Sequence, residues 1–193
     1  MRFTRARSGG VTADLAPVEV AVLAAAAADL AALLSPDDDA APPRDPLEEL
    51  VGLSPGARRP DDPALQRLLP DAYRDDAFGG DPDAARAAAA EFRRFTDSDL
   101  RTLKRRQADT VLETLAALGD GGRLRLSRDQ ADDWLGFLTD VRLVLAVRLD
   151  VDEGTLEEEL PDDGDPRTEA LHVYSWLGWL QESLLSCLEP RRA

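Results

Sequence analysis

The chain has 193 residues, 44% of them hydrophobic but only 5% aromatic, so it is long enough for one domain with a core built mainly of Leu, Val and Ala. A net charge of −15 disfavours general coating of nucleic-acid phosphates. Cys187 is the only cysteine, which excludes an internal disulfide and a zinc site of thiolates and fits a reducing cytoplasm.

Met1 to Gly10 carries Arg2, Arg5 and Arg7 but lacks the apolar run that a signal peptide needs. The longest apolar stretch, Val20 to Ala28, falls well short of the roughly 20 residues that cross a bilayer, so a cytoplasmic protein is expected. Phe3 to Arg7 and Val11 to Leu15 flank Ser8-Gly9-Gly10, and a Gly-Gly turn between short segments predicts a small β-hairpin. Residues 16–34 form a first core helix: from Pro17 to Leu34 only Glu19 and Asp29 are charged, and Pro17 suits a first helical turn. A helix of that composition is expected to be buried.

Residues 35–80 read as an acidic, loop-rich connector with short helices. The dipeptide Asp-Pro at Asp45-Pro46, Asp62-Pro63, Asp81-Pro82 and Asp165-Pro166 marks helix starts, because Asp caps the orphan amides while Pro occupies the first turn without losing a hydrogen bond. Short helices at Pro46 to Leu53 and Pro63 to Leu69 follow from the first two. Residues 82–118 are expected to form a helical pair, the Ala-rich Pro82 to Phe95 and then Asp97 to Leu118, whose Leu100, Leu103, Val111, Leu115 and Leu118 share a face.

The last stretch, 123–188, holds the core segments. Arg123-Leu124-Arg125-Leu126 alternates and is expected to add a third strand to the hairpin, and Ser127 with Gln130 forms a capping box opening a long helix to about Leu149. On that helix Trp134, Phe137, Leu138, Val141, Val144, Leu145 and Leu149 share one broad arc. Arg142 falls beside the arc and needs a partner, for which Glu182 is the candidate. Asp150 to Asp165 reads as an acidic loop with a helical turn at Thr155 to Leu160. The last helix carries Val173, Trp176, Leu177, Leu180, Leu184, Cys187 and Leu188 on one arc, with Trp179 off it beside His172. The fold class is therefore mainly α: a single-domain helical bundle around a buried central helix, with a small N-terminal β-hairpin or three-stranded β element.

Chemistry is sparse. His172 is the only histidine, so triads and paired-His metal sites are incomplete. Acid clusters such as Asp37-Asp38-Asp39 and Glu157-Glu158-Glu159 lie in predicted loops without the ligand spacing of a calcium loop, and Gly119 to Gly122 lacks the Lys and Ser/Thr of a phosphate loop. No catalytic residue, metal ligand or cofactor is assigned. Residues 86–128 hold ten basic against six acidic side chains, and Arg101, Lys104 and Arg105 occupy neighbouring positions on one helix. That flank and the edge formed by Trp179 and His172 are the candidate partner-binding groups.

The strings Trp134-Leu135-Gly136-Phe137-Leu138-Thr139-Asp140-Val141-Arg142-Leu143-Val144-Leu145 and Val173-Tyr174-Ser175-Trp176-Leu177-Gly178-Trp179-Leu180-Gln181-Glu182 resemble the signature segments of an actinobacterial family of domains of unknown function. Its members are often encoded near the proteolytic adaptor ClpS, and some are described as oxidative-stress transcriptional regulators with a close pair of amino-terminal cysteines. The resemblance implies a non-enzymatic regulator acting through protein-protein contacts, with a partner in the transcription or proteolysis machinery. Met1 to Leu15 contains no cysteine, so the thiol switch does not carry over. The alternatives are a DNA-binding regulator using the basic helix face, as a homodimer that doubles it, and an enzyme using carboxylates.

Overall fold

The structure is a computed structural model, and it describes residues 1–6, 9–35, 59–73, 81–152 and 165–189. Among them are three strands, β1 (Thr4–Arg5), β2 (Val11–Leu15) and β3 (Gly122–Leu126). Five helices accompany the strands: α1 (Pro17–Leu33), α2 (Pro63–Leu68), α3 (Pro82–Leu118), α4 (Arg128–Arg148) and α5 (Pro166–Leu188). The fold is mainly helical with a small antiparallel sheet, as the composition and patterning imply. The chain divides into two compact units, Met1–Leu33 with Lys104–Ala193, and Leu34–Leu103. No described helix is long and apolar enough to cross a membrane.

In the first unit the sheet order is β1-β2-β3, with Thr4 opposite Thr12 and Val11 opposite Leu126. The turn between β1 and β2 needs Gly9, whose φ of 94° is costly for any residue with a Cβ. Period-two alternation directs Val11, Ala13, Leu15, Leu124 and Leu126 inward, all buried. On the opposite face Arg123 donates to both carboxylate oxygens of Asp14 at 3.0 and 3.1 Å, pinning the register from outside.

Helix α4 starts where the capping box predicts. Ser127 Oγ accepts from the Gln130 amide at 3.2 Å while Gln130 Oε1 accepts from the Ser127 amide at 2.9 Å. Trp134, fully buried, meets Phe3 and Phe137 edge-on at centroid separations of 5.9 and 6.4 Å and donates its indole N–H to Thr114 Oγ1 at 3.0 Å. One side chain thus ties the amino-terminal segment, α3 and α4 together, with its polar atom satisfied. Leu171, Leu177, Leu180 and Leu184 of α5 and Leu23, Ala27 and Leu30 of α1 complete the core.

In the second unit Asp62 Oδ1 caps α2 through the Ala64 amide at 2.7 Å, and Asp81 Oδ1 caps α3 through the amides of Asp83 and Ala84. Asp165 does the same for α5 in the first unit. The Asp-Pro starts at 62, 81 and 165 therefore hold for the reason given. Those at Asp45-Pro46, with its helix to Leu53, and the turn at Thr155 to Leu160 lie outside the described residues. Ala64, Leu68, Leu69, Ala85 and Ala89 are buried, and the buried Arg93 is ion-paired to Asp71.

Two expectations are corrected. The helical pair over 82–118 is one continuous helix. Thr96, Asp97 and Ser98 carry no Pro or Gly to break it, Thr96 Oγ1 bonds back to the Phe92 carbonyl at 3.0 Å, and Asp97 pairs with Arg101 one turn on at 2.7 Å. The first core helix is not buried all round either. Val18, Ala21, Ala25, Ala28 and Ala32 are exposed, because only the Leu23, Ala27 and Leu30 face reaches the core.

Candidate functional site

The basic flank expected on α3 is largely engaged inside its own chain. Arg101 is held by Asp97. Lys104, the chain's only lysine, turns inward and donates to Asp140 Oδ1 of α4 at 2.5 Å, both side chains being largely buried. Arg105 is exposed and has a partner of its own. Lys104 thus departs from the expected binding surface, and the reason is electrostatic: Asp140 is 3% exposed and its carboxylate needs a cation more than the solvent does.

Lys104 belongs to a series of polar contacts between α3 and α4. Gln107 lies over Gly136, where only a glycine leaves room for its amide, and Thr110 and Arg106 donate to the two oxygens of Asp133 at 3.1 Å each. Partner numbers fall on α4 as they rise on α3, so the two helices run antiparallel. Burial pushes the Asp140 carboxyl above its ordinary value, and the Lys104 hydrogen bond and charge oppose this only in part. Asp140 Oδ2 is buried without a hydrogen-bond partner among the described residues. The sequence hides this group, because Asp140 sits about 60° from Phe137 on the helical wheel and reads as the solvated edge of the apolar arc.

Arg142 does need a partner, but not the expected one. Its guanidinium donates to Gln181 Oε1 and to the Tyr174 hydroxyl at 3.4 Å, and it lies 5.0 Å from the Tyr174 ring centroid. Gln181 is held in turn by its amide N–H to Thr139 Oγ1 at 2.8 Å. Glu182 forms no ion pair with Arg142 among the described residues. It is exposed on α5, one residue on from Gln181 and on the same side as Trp179. The guanidinium packs directly over Gly178, where a Cβ would sit 3.4 Å from Cζ, at the edge of ordinary van der Waals contact. A neutral amide and an aromatic face hold this cation where a carboxylate was expected.

Trp179 is 45% exposed on α5, with His172, Ser175 and Glu182 exposed on the same side at helical spacing. An exposed large aromatic on a rigid helix is the type of group that anchors a partner. Beside this edge His172, Val173 and Trp176 line, with Val18, Glu19 and Val22 of α1, a hollow of about 250 Å³. A larger one of about 650 Å³ continues along α1, floored by Val141, Val144, Leu145, Val173 and Leu177. The two share Val22 and Val173, so they form one apolar groove, whose charged margins are Asp29 and Arg148 at one end and Glu19 and His172 at the other. The residue order of α1 does not signal this groove, because a helix apolar all round has no periodicity that separates a covered side from an open one. In the second unit Phe92 and Phe95 are also exposed, Phe92 meeting Tyr73 edge-on at 6.3 Å.

Cys187 is half-buried, and burial pushes its thiol above the ordinary value against the opposing charges of Arg5 and Arg2. Among the described residues no group of three or more His, Cys, Asp or Glu side chains is placed to hold a metal ion.

The family model described as "Domain of unknown function (DUF2017)" matches residues 1–188. The chain is 38% identical over 184 residues to the "Oxidative stress regulator AosR" of Mycobacterium tuberculosis and of Mycobacterium bovis, covering 93% of this chain and 82% of each relative. It is 37% identical over 179 residues to the counterpart from Mycobacterium leprae, covering 90% of this chain and 80% of that protein. No solved structure matches it significantly.

Proposed function

The chain belongs to the DUF2017 family, and from that premise we propose that it is a non-enzymatic, cytoplasmic regulator of the oxidative-stress response acting through protein contacts. The observation that carries this reading is the likeness to oxidative stress regulators over 93% of the chain. The docking surface is the exposed α5 edge around Trp179, and the partner belongs to the transcription or proteolysis machinery. Protein rather than DNA is favoured because Lys104 and Arg101 are consumed by Asp140 and Asp97, which leaves little of the basic face for phosphates. The thiol of Cys187 is not the sensor, since burial raises it away from the reactive thiolate.

The test is complementation of a host strain deleted for the gene. Wild type and Cys187→Ser restore the transcript response to peroxide, whereas Trp179→Ala, folded by circular dichroism, does not and loses its partner in affinity purification. A Trp179→Ala protein that restores the response and keeps every partner overturns the assigned surface. A deletion strain that responds normally to peroxide overturns the stress-response reading itself.

A further inference from the structure

Helix α1 raises a separate question, because no described residue of its own unit covers its outer side. Val18, Ala21, Ala25, Ala28 and Ala32 are all exposed and recur at alternating spacings of three and four, the repeat of a helix that packs against another helix. Val18 is 68% exposed, and the small residues after it let a second helix axis come as near as about 8 Å. The groove floored by Val144, Leu145, Val173 and Leu177 opens beside the same seam. About 25 Å of α1 is therefore presented to water with no charge on the seam itself.

We infer that this face is the interface between two copies of the chain, with α1 of one copy lying antiparallel on α1 and the adjoining groove of the other. The polarity of the groove's two ends selects a second copy and its orientation. Asp29, beside one end, is exposed and makes no hydrogen bond or ion pair among the described residues. His172, beside the other, is equally unengaged. A two-fold axis near Ala25 sets Asp29 opposite Ala21 and Val22 of the second copy, at the end where that copy's His172 stands. Each carboxylate then gains an imidazole N–H donor, twice over by symmetry. A parallel pairing returns each Asp29 to the height of its own kind and leaves both imidazoles unpaired. Residues 1–34 carry three basic and three acidic side chains, so the charge of −15 is not concentrated on this face.

The experiment is sedimentation velocity on the full chain across a concentration series, with wild type and Ala25→Glu compared. Ala25 is exposed, so the variant keeps its helix content and melting behaviour, and its dimer dissociation constant rises at least about tenfold. Orientation is read in a Cys187→Ser background. A mixture of Val18→Cys and Ala32→Cys chains gives a mixed disulfide dimer on mild oxidation, while Val18→Cys alone does not. A wild type that stays monomeric to about 100 µM overturns the inference. So does a dimer indifferent to Ala25→Glu, or a Val18→Cys chain that cross-links to itself. Should Ala25→Glu misfold, the cross-linking pattern decides alone.

Discussion

The ammonium of Lys104 stands 2.5 Å from Asp140 Oδ1, and this pair, joining α3 to α4, removes the only lysine from the surface. Removing one partner leaves the other charge buried. Lys104→Met is expected to destabilise the fold by about 3–5 kcal/mol, and Lys104→Met with Asp140→Leu to recover most of it. The folded-state pKa of Asp140 is raised above 3.8, so between the unfolded and folded values the native state binds more protons and stability falls as pH rises. Without Lys104 that window moves upward. The cost of Lys104→Met is therefore largest at neutral pH and shrinks on acidification, as urea denaturation at two pH values would show. A cost independent of pH would refute the buried-carboxylate account.

Gln181 and Glu182 are adjacent in sequence but unequal in structure. Gln181→Ala strips Arg142 of one of its two acceptors and Thr139 of a donor, for an expected cost of about 1–2 kcal/mol. Glu182→Gln changes stability by less than about 0.5 kcal/mol. Thermal denaturation of the two variants discriminates, and the reverse order would restore the Arg142–Glu182 pair.

Trp134 and Trp179 lie on different sides of the surface. Truncation of the buried Trp134 to alanine empties the meeting point of Phe3, Phe137 and Thr114 and is expected to cost about 3–5 kcal/mol. Trp179→Ala costs less than about 0.5 kcal/mol. Chemical denaturation measures both. A large loss for Trp179→Ala would make it a packing residue and remove it as a partner anchor.

Cys187 is expected to react slowly. With its pKa raised by burial, the thiolate fraction at neutral pH is below that of a free cysteine, and alkylation by iodoacetamide is slower than for a model thiol and accelerates as pH rises. A rate equal to or above that of the model thiol would reopen this residue as an oxidant sensor.

Much of the architecture was legible because it rests on local chemistry. The Ser127–Gln130 capping box, the Asp-Pro starts of α2, α3 and α5 and the alternation in β2 and β3 each satisfy hydrogen bonds or burial within a few residues. No break separates Phe95 from Asp97, since polar residues without Pro or Gly lower helix propensity only slightly and the Asp97–Arg101 pair offsets that. Of the candidate site residues, Trp179 and His172 are exposed as a position off the apolar arc implies, while Lys104 and Arg142 took partners that a helical wheel cannot rank.

What residue order determined by itself was which segments coil, which extend and where each begins, because caps, turns and apolar periodicity act over one or two helical turns. What only the tertiary structure decided was the fate of each charge and of each surplus apolar face. Asp140 met Lys104 across 36 residues and Arg142 met Gln181 across 39, while α1 kept an apolar side with no described residue of its own unit upon it. Burial and ion pairing depend on which helices lie side by side, a property of three-dimensional distance that no local pattern encodes.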